Sequence, residues 1–181
     1  MKKTVLIALG ALLTSGLVVS AAPIHLRGRL RPSEEIPTNV TSGSGTFTAT
    51  VNDNNAISFT LSYSNLSTPA VQAHIHLGAT KTNGGVMVFL CGSAASPAHM
   101  VCPNDSTNSG TLTDTLSASD VVINGQGIQP GDLAKVLEAI HDGNAYVNVH
   151  TTQLPGGEMR GLRRRGRRRN WVRRSGRMRG S

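Results

Sequence analysis

Three histidines occur in patterns that are suited to binding a metal ion. His74 and His76 are separated by one residue, and His150 lies in a similar alternating segment much later in the chain. Because side chains alternate between the faces of a β-strand, His74 and His76 share one face, with their bases about 7 Å apart. If the two segments pair or cross, the three imidazoles converge, and Glu158 becomes a candidate fourth ligand. Three imidazoles with a carboxylate or a water suit zinc or copper, so the sequence predicts a candidate site for one of these metals.

The same residues also allow an interpretation without a metal. Gln72 and Asn148 share the predicted histidine faces, and amides and imidazoles on a half-buried strand often hydrogen-bond only to the backbone and to one another. A His-x-His pair alone is a weak indication of a metal, so the sequence favours a hydrogen-bonded polar face. The distance between the rings separates the two interpretations, since a shared ion requires nearest ring nitrogens within about 5 Å.

Other reaction chemistries have little support in the sequence. It contains no Gly-x-Ser-x-Gly elbow, phosphate-binding loop, dinucleotide fingerprint or His-Glu-x-x-His motif. The remaining histidines, His25, His99 and His141, are predicted at a strand start, in a loop and at a helix end, and are assigned no role. Two functions therefore stay open. One is a non-enzymatic binding or surface module for an unknown extracellular protein or surface ligand, which the loops around Asn83 and Pro155 would help to recognise; the other is a metal-dependent activity.

The elements that must position these residues are predicted to be mostly β-strands. Short segments with period-two alternation and β-branched or aromatic residues recur, separated by turns rich in Asn, Gly and Pro. The predicted strands are residues 45–51, 56–63, 71–77, 86–90, 144–150 and 158–162. We therefore expect an all-β, mainly antiparallel fold, a Greek-key-like sandwich or barrel with one short α-helix.

The helix is predicted from a change in periodicity. Apolar residues at helical spacing follow Asp132, the expected N-cap, and precede Gly143. These apolar residues are Leu133, Val136, Leu137 and Ile140. We expect the stripe to lie on the sheet or to close one end of a barrel.

The N-terminus and the cysteines indicate export. Residues 1–21 have the order of a secretory signal peptide, with Lys2 and Lys3 before an apolar run that ends in small residues. The expected location is therefore secreted or periplasmic, and residues 22–162 form the expected single domain. In an oxidising compartment Cys91 and Cys102 are most simply a disulfide, which would stabilise by about 3 kcal/mol at most. The alternative is a two-thiolate metal site that includes His99.

The positive charge is concentrated in a C-terminal tail. The whole chain carries a formal charge of +8, but residues 22–162 hold only six basic residues against ten acidic ones, a net charge of −4. Residues 163–181 contain ten arginines and no acidic residue, which predicts a disordered extension. The alternatives are an arm that contacts anionic surfaces and an out-of-frame ending. The arginines that would contact such a surface include Arg163, Arg164, Arg165, Arg167, Arg168 and Arg169.

Four segments carry a resemblance to a known family. These are Ala73-His74-Ile75-His76-Leu77-Gly78, Asn83-Gly84-Gly85-Val86-Met87-Val88, Tyr146-Val147-Asn148-Val149-His150-Thr151 and Pro155-Gly156-Gly157-Glu158-Met159-Arg160-Gly161. Together with Glu34-Glu35-Ile36-Pro37 near the start, they resemble the CHRD domain, first described as a repeat in chordin. The resemblance runs from about residue 25 to residue 161. It implies an extracellular β-domain and supplies no catalytic residues.

Overall fold

The computed structural model describes residues 24–52, 56–92 and 100–161, together with the backbone of residues 163–164. The predicted signal peptide, His99 and the tail from Arg165 onward, including Arg167, Arg168 and Arg169, lie outside these residues. Within the described part of the chain, no helix is long and apolar enough to cross a membrane.

Within the described residues, nine strands form two sheets, and their pairings are antiparallel. The strands are β1 (Ile24–Leu30), β2 (Ser44–Val51), β3 (Ile57–Ser64), β4 (Ala70–Leu77), β5 (Val86–Cys91), β6 (Gly110–Leu116), β7 (Ala145–Thr151), β8 (Met159–Gly161) and β9 (Arg163–Arg164). The first sheet has the order β6-β3-β2-β1-β9, and the second has the order β5-β4-β7-β8. The predicted antiparallel β fold with one short helix is confirmed.

The core is built from the inward faces of the two sheets. Alternate residues of β2 and β3 are buried, including Phe47 and Phe59, whose rings stack at 5.8 Å. The second sheet contributes Ile75, Val147 and Met159, all fully buried. Since one face of each sheet is committed to the core, the other face of each is free to carry polar side chains.

Two long strands are absent from the predicted ranges: β1, of which only a strand start at His25 was expected, and β6. β6 pairs with β3 and comes after the loop that follows Cys102 in sequence. Its sequence alternates Thr with Leu at Leu112 and Leu116, which are buried against β3. The segment follows a loop rich in Asn, Ser and Thr, and only two of its residues are large and apolar. Its apolar signal was therefore weaker than that of the other long strands.

The α-helix of the described residues, α1, covers Leu133–His141 and buries the predicted stripe at Leu133, Val136 and Ile140. Asp132 is the N-cap residue, as predicted, but its side chain makes no capping hydrogen bond to the helix. Its carboxylate instead accepts hydrogen bonds from the Gln129 N–H at 3.1 Å and from Lys135 Nζ at 2.7 Å.

Two further links tie the elements together. Cys91, the last residue of β5, forms the predicted disulfide with Cys102. Arg31, directly after β1, exchanges two backbone hydrogen bonds with Arg160 of β8, with N–O distances of 3.0 and 3.3 Å. This second link, which we call the Arg31–Arg160 bridge, joins one edge of the first sheet to the edge of the second.

Candidate metal centre

The pairing of β4 with β7 brings the three histidines onto one surface. Their register places His74 opposite Asn148, His76 opposite Tyr146 and Gln72 opposite His150. Paired residues point to the same side of a sheet, so this surface is the outer face of the second sheet, opposite the apolar core. Both proposed polar residues, Gln72 and Asn148, therefore share a face with the histidines.

The three imidazoles converge. One nitrogen from each ring lies within 4.8 Å of the others, and His74 Nδ1 lies 3.1 Å from His150 Nε2. Nitrogen ligands about 2.0–2.1 Å from a zinc ion are about 3.3 Å apart in a tetrahedral arrangement. The spacing of these two rings is therefore close to that of ligands on one ion, and the third ring needs only a small movement to join them.

Two of the rings are oriented by backbone carbonyls. His76 Nδ1 lies 2.9 Å from the Gly84 carbonyl oxygen, and His150 Nδ1 lies 2.9 Å from the Pro155 carbonyl oxygen. A carbonyl only accepts, so both Nδ1 atoms must carry the hydrogen, and both Nε2 atoms present a lone pair. Metal-binding histidines characteristically have their second nitrogen fixed in this way.

Burial keeps the imidazoles uncharged at neutral pH. His74 and His76 are 4% and 8% exposed, and His150 is the most exposed of the three. Desolvation lowers the pKa of His74 to about 3, with smaller contributions from His150 and His76. Burial also lowers the pKa values of His76 and His150, opposed in each case by the hydrogen bond to the backbone carbonyl. Neutral imidazoles are the form that binds metals.

A short segment from the start of the domain covers this face. It consists of residues 32–39, which we call the covering segment, and it begins with a 3-10 helix at Pro32–Glu34. Asn39 Nδ2 donates to the Gly157 carbonyl at 2.8 Å, and Asn83 Nδ2 donates to the Ile36 carbonyl at 3.2 Å. The segment is thus held over the sheet at two points.

The covering segment places a buried ion pair beside the histidines. Arg160 Nη2 and Nε each lie 2.7 Å from Glu35 Oε2, and the two side chains are 7% and 1% exposed. The guanidinium also donates to the Thr82 carbonyl and to Asn83 Oδ1, at 2.9 and 2.6 Å. Its carbon lies 4.3 Å from the centre of the Tyr146 ring, which stacks on His76 at 4.8 Å between centroids. Arg160 therefore supports the histidines through Tyr146.

Four buried polar atoms around this cluster have no hydrogen-bond partner among the described residues. They are His74 Nε2, His76 Nε2, Asn148 Oδ1 and Glu35 Oε1. Buried polar atoms in folded proteins are almost always paired with protein, water or an ion. Several unpaired atoms on one enclosed face are therefore positions where a water or an ion can bind.

Gly157 makes room for this arrangement. Its φ of +121° is a conformation that other residues rarely adopt, and a Cβ there would lie 2.7 Å from Glu35 Oε1 and 3.1 Å from Asn148 Nδ2. The glycine therefore allows the turn to approach the polar cluster closely.

Glu158 lies apart from the three histidines. Its side chain is fully buried and accepts hydrogen bonds from Ser67 Oγ at 2.6 Å, from the Ser67 N–H at 3.0 Å and from Thr151 Oγ1 at 3.0 Å. The residue precedes β8 and follows Gly157, so strand alternation does not govern its direction. Its carboxylate joins the β7–β8 turn to the loop before β4.

The sequence analysis did not identify Glu35 and Arg160 as parts of this site. Their separation along the chain, 125 residues, left no local pattern that would pair them. The one available signal was the presence of a charged residue inside a predicted strand, at Arg160. The loops around Asn83 and Pro155 support the site from within, since Asn83 holds Arg160 and Pro155 orients His150.

Comparison with known proteins identifies one family. Residues 26–162 match the CHRD domain, which covers most of the chain and both sheets as far as β8. No curated protein and no solved structure shows significant similarity to the chain. The resemblance seen in the histidine segments is therefore confirmed over the whole described domain, and the chain belongs to the CHRD-domain family.

Proposed function

We propose that this protein is an exported metal-binding module that holds one zinc or copper ion with His74, His76 and His150. The observation that carries the proposal is the convergence of one nitrogen from each ring within 4.8 Å. A donor set of three imidazoles suits both metals, and a water or an external group would complete the coordination.

The orientation of the rings supports this function over a purely structural polar cluster. A buried ring nitrogen is almost always paired with protein, water or an ion. His76 Nε2 has no partner within hydrogen-bond distance among the described residues, although Asn148 lies near enough to raise the pKa of this ring. The ring's hydrogen is fixed on Nδ1 by the Gly84 carbonyl. In the metal-free protein His74 Nδ1 donates to His150 Nε2. Metal binding would replace this hydrogen bond, with the His74 proton moving from Nδ1 to Nε2, and would give His76 Nε2 a partner.

The site is enclosed on the side of His76. Tyr146 stacks on His76, with the Arg160–Glu35 ion pair beyond it, and His150 is the most exposed of the three histidines. Three imidazoles would leave one coordination position for a water or an external group. The chemistry that these residues define is the binding of the ion, so we propose metal binding and name no reaction.

Metal analysis of untagged protein tests the proposal. Protein stripped with chelator and then dialysed against zinc or copper should retain about one equivalent, measured by elemental analysis. The double variant H74A/H150A should retain none. The matched control is H25A/H141A, which removes two histidines away from the cluster and should bind as the unaltered protein does. Absence of bound metal from the unaltered protein, after exposure to both ions, would refute the metal site.

Glu158→Gln provides a second control for the composition of the site. The Glu158 carboxylate contacts Ser67 and Thr151, so its replacement by an amide should leave the metal stoichiometry unchanged. Loss of the metal from folded E158Q protein would show that Glu158 is a ligand, as the sequence alone suggested, and that the turn rearranges on binding.

Export is the other part of the proposal. The signal-like residues 1–21 and the Cys91–Cys102 disulfide support it, since disulfides persist in oxidising compartments. N-terminal sequencing of protein from the periplasm or the medium should begin at Ala22. Recovery only of the uncleaved chain inside the cell would contradict export.

A further inference from the structure

The outer face of the first sheet has an unusual composition. Every outward-pointing side chain of β2 and β3, and residues 111, 113 and 115 of β6, are Ser or Thr. We call this surface the hydroxyl face. Among the described residues, it presents no acidic, aromatic or aliphatic side chain to solvent from these strands.

The hydroxyls are arranged in straight rows across the strands. Thr48 pairs with Thr60, which pairs with Thr113, and the rows on either side repeat the pattern. Several neighbours are hydrogen-bonded: Thr60 Oγ1 lies 3.0 Å from Thr113 Oγ1, and Thr111 Oγ1 donates to Ser62 Oγ at 3.0 Å. The rows are therefore an ordered array of groups that can both donate and accept.

A line of basic residues borders this array. His25, Arg27, Arg29 and Arg31 alternate along β1 and the residue after it, and all are exposed. We call them the basic column. Three of the six basic residues in positions 22–162 thus lie on one side of one strand, in a part of the chain that is otherwise acidic.

The register joins the basic column to the hydroxyl rows. Arg27 pairs with Thr48, Arg29 pairs with Thr46 and His25 pairs with Thr50. Each row therefore begins with a basic side chain and continues through three hydroxyls. Within the described residues, no carboxylate pairs with Arg27, Arg29 or Arg31. Two shallow grooves of about 400 and 580 Å³ run over this surface, lined in part by Arg27 and by Arg29.

We propose that the hydroxyl face and the basic column together bind an acidic polysaccharide. Arginine forms bidentate hydrogen bonds with carboxylate or sulfate groups, and the hydroxyls of Ser and Thr can exchange hydrogen bonds with those of the sugar rings. Successive members of the basic column are about 6.8 Å apart, which suits a polymer with regularly repeated charges. This inference concerns the opposite side of the molecule from the histidines and does not depend on the metal proposal.

The chemistry of the face distinguishes this ligand from other anionic partners. Proteins that bind single-stranded nucleic acid stack the bases on aromatic side chains, and the hydroxyl face has none among the described residues. Surfaces that bind bilayers bury apolar side chains in the interface, and these too are missing from the outward positions of β2 and β3. Hydroxyl rows beside arginines fit a hydrated, charged sugar chain.

Binding to immobilised alginate, a carboxylated polysaccharide, tests the proposal, with neutral dextran as the control surface. The full mature chain should bind alginate at low salt, in the presence of EDTA, and not bind dextran. We expect R27S/R29S to weaken binding at least tenfold and R27K/R29K to weaken it less, because lysine keeps the charge but not the paired geometry. The row variant T48V/T60V/T113V should weaken binding several-fold, with its salt dependence unchanged.

The control variant K81N/K135Q removes two positive charges elsewhere and should bind as the unaltered protein does. Equal weakening by this control would show a response to net charge alone and overturn the proposal. Loss of binding in R167S/R168S/R169S, with full binding retained by R27S/R29S, would assign the contact to the tail instead. Tighter binding of single-stranded DNA than of alginate through Arg27 and Arg29 would overturn the polysaccharide assignment. Thermal melts of each variant establish that it is folded.

Discussion

The outer faces of the two sheets have the same alternating sequence pattern but differ in solvent exposure. Both alternate polar residues outward and apolar residues inward, yet His74 is 4% exposed while Thr48 and Thr60 lie on an open surface. Residues 32–39 lie over the second sheet beside β8 and bring Glu35 against Arg160. The rings of Phe89 and His150 pack against His74, at 4.5 and 4.8 Å between centroids. A strand face thus becomes an interior site when neighbouring side chains and a short irregular segment pack against it.

Burial also changes how much a polar group contributes to the stability of the fold. On the open face, hydroxyls exchange hydrogen bonds with water at little net cost. Under the covering segment, each polar atom must find a partner or destabilise the fold. Variants on the two faces should therefore differ in their effects on stability, and the predictions below run from the largest expected effect to the smallest.

Breaking the buried ion pair should have the largest effect. R160M leaves Glu35 buried without its cation, and we expect the free energy of unfolding to fall by about 3–5 kcal/mol, measured by urea denaturation. The double variant E35L/R160M, which removes both charges, should be less destabilised than R160M. If R160M unfolds at the same urea concentration as the unaltered protein, the covering segment does not depend on this pair.

Metal binding should stabilise the protein by an amount that depends on concentration. At a free metal concentration one hundred times the Kd, the expected gain in unfolding free energy is about 2.7 kcal/mol. Thermal melts with and without zinc or copper measure it, and H74A/H150A should show no gain. An equal gain in that variant would place the ion elsewhere.

Acid should destabilise the metal-free protein through the same histidines. Their pKa values are lowered in the folded state, so the unfolded chain binds protons first as the pH falls below the ordinary value of 6.5. Stability is therefore full above pH 6.5 and decreases toward about pH 3, where His74 titrates in the folded protein. Each histidine contributes a slope of up to about 1.4 kcal/mol per pH unit. Unfolding measured in EDTA across this range should show a shallower decrease for H74Q, and an unchanged slope in H74Q would exclude His74 as a source.

The hydroxyl face should tolerate substitution. Thr60→Val preserves shape and β-branching at an outward position, so the free energy of unfolding should change by no more than about 0.5 kcal/mol. Chemical denaturation of T60V measures this. A loss of more than about 1 kcal/mol would mean that the Thr60–Thr113 hydrogen bond contributes to stability as a buried one does.

Local pattern was sufficient to predict the strands that carry the histidines. Period-two alternation in β4 and β7 placed His74, His76 and His150 on polar faces, and the register then brought them together. It gave no direction for Glu158, because that residue stands in a turn after Gly157, and its carboxylate contacts Ser67 and Thr151. The alternation of side chains between two faces applies only to residues within a strand.

The cover over the site could not have been predicted from the sequence. Residues 32–39 have no strand periodicity, and their position depends on long-range contacts such as Asn39 with Gly157 and Glu35 with Arg160. Such contacts form only in the folded chain, and they produce no regular spacing of residue types in the sequence. The sequence therefore indicated the histidines of the candidate site but not the residues packed around them.

The Arg31–Arg160 bridge has a consequence for the two proposed ligands. Arg31 belongs to the basic column, Arg160 holds Tyr146 against His76, and the two residues exchange backbone hydrogen bonds. The bridge is therefore a direct connection through which a backbone shift on one surface would reach the other. Thermodynamic linkage requires any such coupling to be reciprocal, so a metal ion that changes the affinity for alginate by some factor must have its own affinity changed by alginate by the same factor.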